Sequence, residues 1–194
     1  SNEDRTFSIN IHKDAAYIYG YTRSTDFPVT AGAFDVSYNG GSDLVIFKMD
    51  TTGSILQAGT YVGGTGKDGE TIQWGGNTYS ERHYELAVDE NDNVYAVGVT
   101  LSGDFPTTQG AYLTTPAITT SPSYDGVIFK MNGSLQQMIW SSYFGGSNVD
   151  CITALRLDDT GGVYFAGATK SFDFPVTTGV VMPVRSTNGD CFVS

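Results

Sequence analysis

Asp89, Asn91 and Asn93 have the spacing with which an EF-hand loop begins to wrap a calcium ion. Such a loop also needs a glycine at its sixth position for the sharp bend and a bidentate glutamate at its twelfth. Here those positions hold Val94 and Thr100. The segment therefore reads as an Asp- and Asn-rich turn between two strands. Asp89, Asn91 and Asn93 stay the residues that calcium would use if it bound, and no other cofactor is expected.

A second set of chemistry-bearing residues repeats. Asp26, Asp104 and Asp173 each stand directly before Phe-Pro. An aspartate there can accept hydrogen bonds from loop amides, the Phe can bury its ring, and the Pro stops a strand from continuing. A corner is expected, in preference to a ligand site lined by the three aspartates. His12 and His83 are the only histidines, and neither has metal-ligand spacing or stands beside a motif-borne nucleophile. No catalytic residue is assigned. Trp74, Tyr79, Arg82 and His83 lie close together in a stretch without counterpart elsewhere in the chain. Aromatic and Arg side chains on a protruding loop suit a protein or glycan contact, the alternative being a hairpin packed on its own sheet.

Ten basic residues against 21 acidic ones leave a formal charge of −11, which repels nucleic acid and anionic lipid. No run reaches the ~20 apolar residues of a membrane helix, so membrane insertion is not expected. Cys151 and Cys191 fit no CxxC pattern, and either a disulfide or two thiols is open to them.

The elements that carry these residues recur. Tyr17-Ile18-Tyr19-Gly20-Tyr21-Thr22 aligns with Tyr95-Ala96-Val97-Gly98-Val99-Thr100 and with Tyr164-Phe165-Ala166-Gly167-Ala168-Thr169. Each is followed by the Asp-Phe-Pro unit and then by a second strand signature opened by Asp43, Asp125 or Asp190. Tyr61-Val62-Gly63-Gly64 and Tyr143-Phe144-Gly145-Gly146 close the first two copies. Four strand-like runs make one copy; in the second they are Glu85 to Val88, Val94 to Thr100, Val127 to Met131 and Met138 to Phe144. Four strands per repeat describe a β-propeller blade. The fold expected is all-β: about three four-stranded antiparallel blades, at 6–64, 84–146 and 151–194, with an insertion at 67–82. A further small insertion falls at Ser121-Pro122-Ser123. The third blade is expected to lack its last strand. The array then belongs to a larger propeller, pairs with another copy of itself, or is capped by partners.

Val88-Asp89 through Thr100-Leu101-Ser102-Gly103-Asp104-Phe105-Pro106 to Gly110-Ala111, together with Ser141-Ser142-Tyr143-Phe144-Gly145-Gly146, resembles the SBBP family of bacterial β-propeller repeats. The resemblance covers nearly the whole chain. It implies a secreted or surface-exposed bacterial protein and no catalytic activity. The expected function is a non-catalytic extracellular scaffold or adhesive module that binds protein or glycan. The alternatives are part of an exported carbohydrate-active or hydrolytic enzyme, and a structural subunit of a surface layer or filament.

Overall fold

The computed structural model describes residues 3–70, 73–74, 77–78, 84–117, 124–181 and 189–194. Tyr79, Arg82, His83 and the Ser121-Pro122-Ser123 insertion lie outside them.

Alternating apolar and polar runs, rich in Tyr, Val, Ile and Phe and punctuated by Gly, favour strands. Among the described residues there is no helix, and so none long and apolar enough to cross a membrane. The first sheet is a meander of β1 (Asp4–His12), β2 (Ala15–Thr22), β3 (Asp43–Asp50) and β4 (Leu56–Val62). A two-stranded hairpin follows, β5 (Gln73–Trp74) with β6 (Asn77–Thr78). The second sheet runs in the same order as the first, through β7 (Leu86–Val88), β8 (Val94–Thr100), β9 (Asp125–Met131) and β10 (Met138–Phe144). The third has three strands: β11 (Asp150–Leu157), β12 (Val163–Thr169) and β13 (Asp190–Val193). All pairings within the sheets are antiparallel.

The tight reversals follow from local chemistry. Between β7 and β8 the left-handed position is held by Asp92 at φ 65°, and between β11 and β12 its counterpart is Gly161 at φ 88°. Asp and Gly tolerate that conformation better than other residues do. In each turn an aspartate side chain, Asp89 or Asp158, receives backbone N–H groups from two and four residues ahead.

The sheets stack face on face through two apolar layers. Tyr17, Tyr19, Leu44 and Ile46 of the first sheet pack with Leu86, Ala96, Phe129 and Met131 of the second. Tyr95, Val97 and Ile128 on the second sheet's other face pack with Ile152, Leu155 and Phe165 of the third. The leading strands are also in contact, β1 with β7 and β7 with β11. Cys151 and Cys191 sit in one cross-strand row on either side of Ala168. Two strand spacings are about 10 Å, beyond disulfide reach, and the two cysteines are not bonded to each other.

Candidate functional site

The polar side chains that repeat most faithfully meet at the sheet-to-sheet joints. At the first joint, Asp43 opens β3 and the Gly63-Gly64 pair follows β4, while Asp68 forms an antiparallel bridge with Thr100 at the end of β8. The Thr100 hydroxyl donates to Asp68 Oδ1. Asp68 Oδ2 accepts from the Ser102 hydroxyl at 2.9 Å and from the Gly64 N–H at 2.8 Å. Gly66 N–H donates back to Ser102 Oγ at 2.9 Å, and Thr65 N–H to Asp104 Oδ1 at 2.8 Å. One sheet's closing loop is thus tied to the next sheet's Asp, Ser and Asp side chains.

The second joint repeats these contacts residue by residue. Gly146 N–H and the Ser171 hydroxyl both donate to Asp150 Oδ2 at 2.6 Å. Asn148 N–H reaches Ser171 Oγ at 2.9 Å, and Ser147 N–H reaches Asp173 Oδ1 at 2.8 Å. In each joint the Asp backbone N–H also returns to the preceding sheet, Asp68 to Ser42 O at 2.9 Å and Asp150 to Tyr124 O at 2.8 Å.

A tyrosine from the strand end completes each corner. Tyr61 OH accepts from Phe27 N–H at 3.0 Å and donates to Ser24 O at 2.9 Å. Tyr143 OH does the same with Phe105 N–H and Ser102 O, both at 2.8 Å. All three aspartates before Phe-Pro are exposed, and Asp104 and Asp173 hold loop amides of the preceding sheet. The corner rings pack on neighbouring rings: Phe27 against Phe47 and Tyr61, Phe105 against Phe129 and Tyr143.

Two carboxylates face each other within each joint. A Cβ on Gly63 would lie 2.6 Å from Asp43 Oδ1 and 2.7 Å from Asp68 Oδ2, so a glycine is what leaves room for both. At the second joint the same point beside Gly145 is 3.0 Å from Asp125 Oδ1 and 2.7 Å from Asp150 Oδ2. Asp43 and Asp125 each use Oδ2 to accept one backbone N–H, from Asn39 or Ala117, while Oδ1 is buried without a donor. Burial, only partly offset by that N–H and reinforced by the facing aspartate, pushes both carboxyls up to about 7. Burial likewise raises Asp68 to about 6 and Asp150 above its ordinary value, against the hydroxyl and amide donors that favour their charged forms. A proton on Oδ1 of Asp43 or Asp125 relieves the facing charges and gives the donorless oxygen something to offer.

Asp89 is enclosed by its own turn. Oδ1 accepts the N–H groups of Asn91 and Asn93, both at 2.9 Å. Oδ2 accepts from Asn93 Nδ2 at 2.9 Å and Tyr95 OH at 3.1 Å, with Lys130 Nζ at 3.4 Å. Burial would raise this carboxyl, but these donors outweigh it and hold it below its ordinary value. The acceptor positions face donors and an ammonium group, and among the described residues no three His, Cys, Asp or Glu side chains gather to hold a metal.

The stretch 67–82 divides into two parts. Lys67 to Glu70 belongs to the joint: Lys67 forms a parallel bridge with Ser42, and buried Glu70 binds Arg23 at 2.6 Å and Lys67 at 3.1 Å. Burial alone would raise Glu70, yet these two cations hold it below its ordinary value. Gly69 N–H pairs with Val99 O and Val97 N–H with Glu85 O, so Glu70 and Tyr84 flank the place where residues 71–83 interrupt the leading strand of the second sheet. Trp74 lies in β5 of the hairpin there. Asp68 and Asp150 went unnoticed in the sequence, although both stand four residues after a Gly-Gly pair.

Between the second and third sheets an open groove of about 440 Å³ is lined by Tyr112, Ile139, Trp140, Phe144, Val163 and Phe165. Its walls are mostly apolar and aromatic. A scan against protein-family models matches no family, and no curated protein matches the chain.

Proposed function

We propose that this chain is a non-catalytic β-propeller module of the SBBP type, working outside a bacterial cell as a scaffold that presents loops to a protein or glycan partner. The observation that carries this reading is the use made of the repeated polar groups. Asp43, Asp68, Asp104, Asp125, Asp150 and Asp173 lie in or beside the two joints, and most of their hydrogen bonds fasten one sheet to the next. Groups committed in this way serve architecture, and recognition then falls to features that differ between sheets. Two such features stand out: the 71–83 insertion with its β5–β6 hairpin, and the groove beside exposed Tyr112. Aromatic rings at a groove suit the apolar faces of sugars or the side chains of a protein partner. The matched offsets of the repeated motifs support the SBBP resemblance, and with it the extracellular setting.

Glycan-array and surface-protein binding screens on the whole chain, on a variant lacking 71–83, and on Tyr112→Ala test this reading. We expect one ligand class to bind the parent and to weaken at least about tenfold in one variant, a loss of about 1.4 kcal/mol. Equal binding by all three would contradict the assignment of these surfaces. Hydrolysis of a glycan or peptide during the screen would contradict the non-catalytic role.

A further inference from the structure

The three sheets present equivalent positions in three different surroundings, and the comparison exposes two half-interfaces. On the face that each sheet offers to the one before it, Leu86, Ala96, Phe129 and Met131 of the second sheet are buried beneath the first. Leu155 of the third is buried beneath the second, with Phe165 packed beside it. In the first sheet the same positions are Ile9, Ile18, Phe47 and Met49, and Ile9 is 64% exposed with neighbouring Ile11 at 62%. The polar part of the joint follows the same rule. Asp4 forms the same cross-strand pair with Thr22 that Asp150 forms with Thr169, yet Asp4 is exposed where Asp68 and Asp150 are wholly buried.

The opposite face is open at the other end of the stack. Tyr17 and Tyr95 are buried, as are Ile46 and Ile128, each pair covered by the following sheet. Their equivalents in the third sheet are Tyr164 at 53% exposure and Val193 at 80%. Asp190, the counterpart of Asp43 and Asp125, opens β13 on this sheet. The first sheet therefore carries the receiving half of a joint and the third sheet part of the matching half.

The geometry points to head-to-tail association of two copies of this chain, the third sheet of each packing on the first sheet of the other as successive sheets pack within the chain. Continuity with the two internal joints identifies the occupant, because the surface that already covers Leu86, Ala96, Phe129 and Met131 is another sheet of this repeat. Each contact joins two unlike faces, and a two-fold axis that makes both contacts at once closes the pair and brings six sheets around one axis, within the four to eight blades of closed propellers. The association does not depend on what the loops bind.

The test is sedimentation velocity and light scattering on the whole chain at about 0.15 M salt, where charge repulsion between copies is screened beyond about 8 Å. Two variants carry the argument: Ile9→Lys with Ile11→Lys on the receiving face, and Tyr164→Lys with Val193→Lys on the opposite one. All four positions are exposed in the single chain, so neither variant empties its core; circular dichroism verifies the fold. We expect a concentration-dependent dimer for the parent and at least tenfold weaker self-association for each variant. An equimolar mixture should restore a dimer, because one intact interface then forms between the unlike chains. A parent that stays monomeric at about 100 µM, far above the micromolar limit of specific interfaces, would overturn the proposal. So would variants that dimerise as the parent does, or a mixture no more associated than its components.

Discussion

Asp43 and Asp125 show how one residue type is put to opposite uses in the same chain. Asp89, with donors around both oxygens, is held in its charged form, whereas Asp43 and Asp125 face a second carboxylate in a buried joint. The sign of their effect on stability follows. In the folded chain they titrate near 7, against an ordinary value of 3.8, so between about 4 and 7 the folded state binds protons that the unfolded state has released. Their contribution favours the fold at the acid end of that window, declines as pH rises through it, and is constant above it. Glu70 and Asp89, held low, act in the reverse sense, and their contribution is lost only as pH falls below about 4. Thermal unfolding followed by circular dichroism should therefore show the parent losing stability from pH 5 to pH 8. The Asp43→Asn, Asp125→Asn variant should be flatter over that range and about 1 to 3 kcal/mol more stable at pH 8, since an amide keeps the acceptor for Asn39 or Ala117 and supplies the missing donor. A variant as pH-dependent as the parent would show that these carboxyls are not protonated in the joint. The pairing was beyond the reach of the sequence, which shows Asp43 and Asp68 25 positions apart but not the glycine that lets them meet.

At the scale of elements, the strands were legible because Tyr-, Val- and Phe-rich runs recur at fixed offsets. All four runs expected for the second sheet end at the same residues as β7, β8, β9 and β10, at Val88, Thr100, Met131 and Phe144. The leading strand of that sheet was only half legible. It is split between Gly69-Glu70 and Tyr84 to Val88; the run Glu85 to Val88 reads as a strand, but Gly69-Glu70, on the far side of 71–83, is too short to be recognised as part of it. In the third sheet the corresponding strand, β11, runs unbroken from Asp150 to Leu157. Joining Glu70 directly to Tyr84 should therefore give the second sheet a continuous leading strand. Urea unfolding of the variant lacking 71–83 is expected to match the parent within about 1 kcal/mol, the scale of a tolerated loop change. A loss of more than about 3 kcal/mol would mean that the hairpin contributes to the core. Tyr79, Arg82 and His83 would be removed with it, so the same variant separates a recognition role from a structural one.

Across the whole molecule, one joint is written three times and completed twice. Asp68 and Asp150 are buried under the preceding sheet's Gly-Gly loop, while Asp4 has the same strand position and Thr partner but is exposed. The sequence displayed the recurrence of Asp-Phe-Pro and Tyr-x-Gly-Gly. It did not display which surface each copy covers, because that depends on the stacking of sheets and not on any one segment. The central claim, that equivalent residues build equivalent joints, is tested most directly by urea denaturation of Asp68→Ala, Asp150→Ala and Asp4→Ala at pH 8 and at protein concentrations low enough to keep the chain monomeric. Removing a buried carboxylate that gathers amide and hydroxyl donors should cost about 2 to 4 kcal/mol in each of the first two, and similar amounts in both. Asp4→Ala should cost about 0.5 kcal/mol or less. An Asp4→Ala penalty equal to the other two, or an Asp68→Ala variant as stable as the parent, would contradict it.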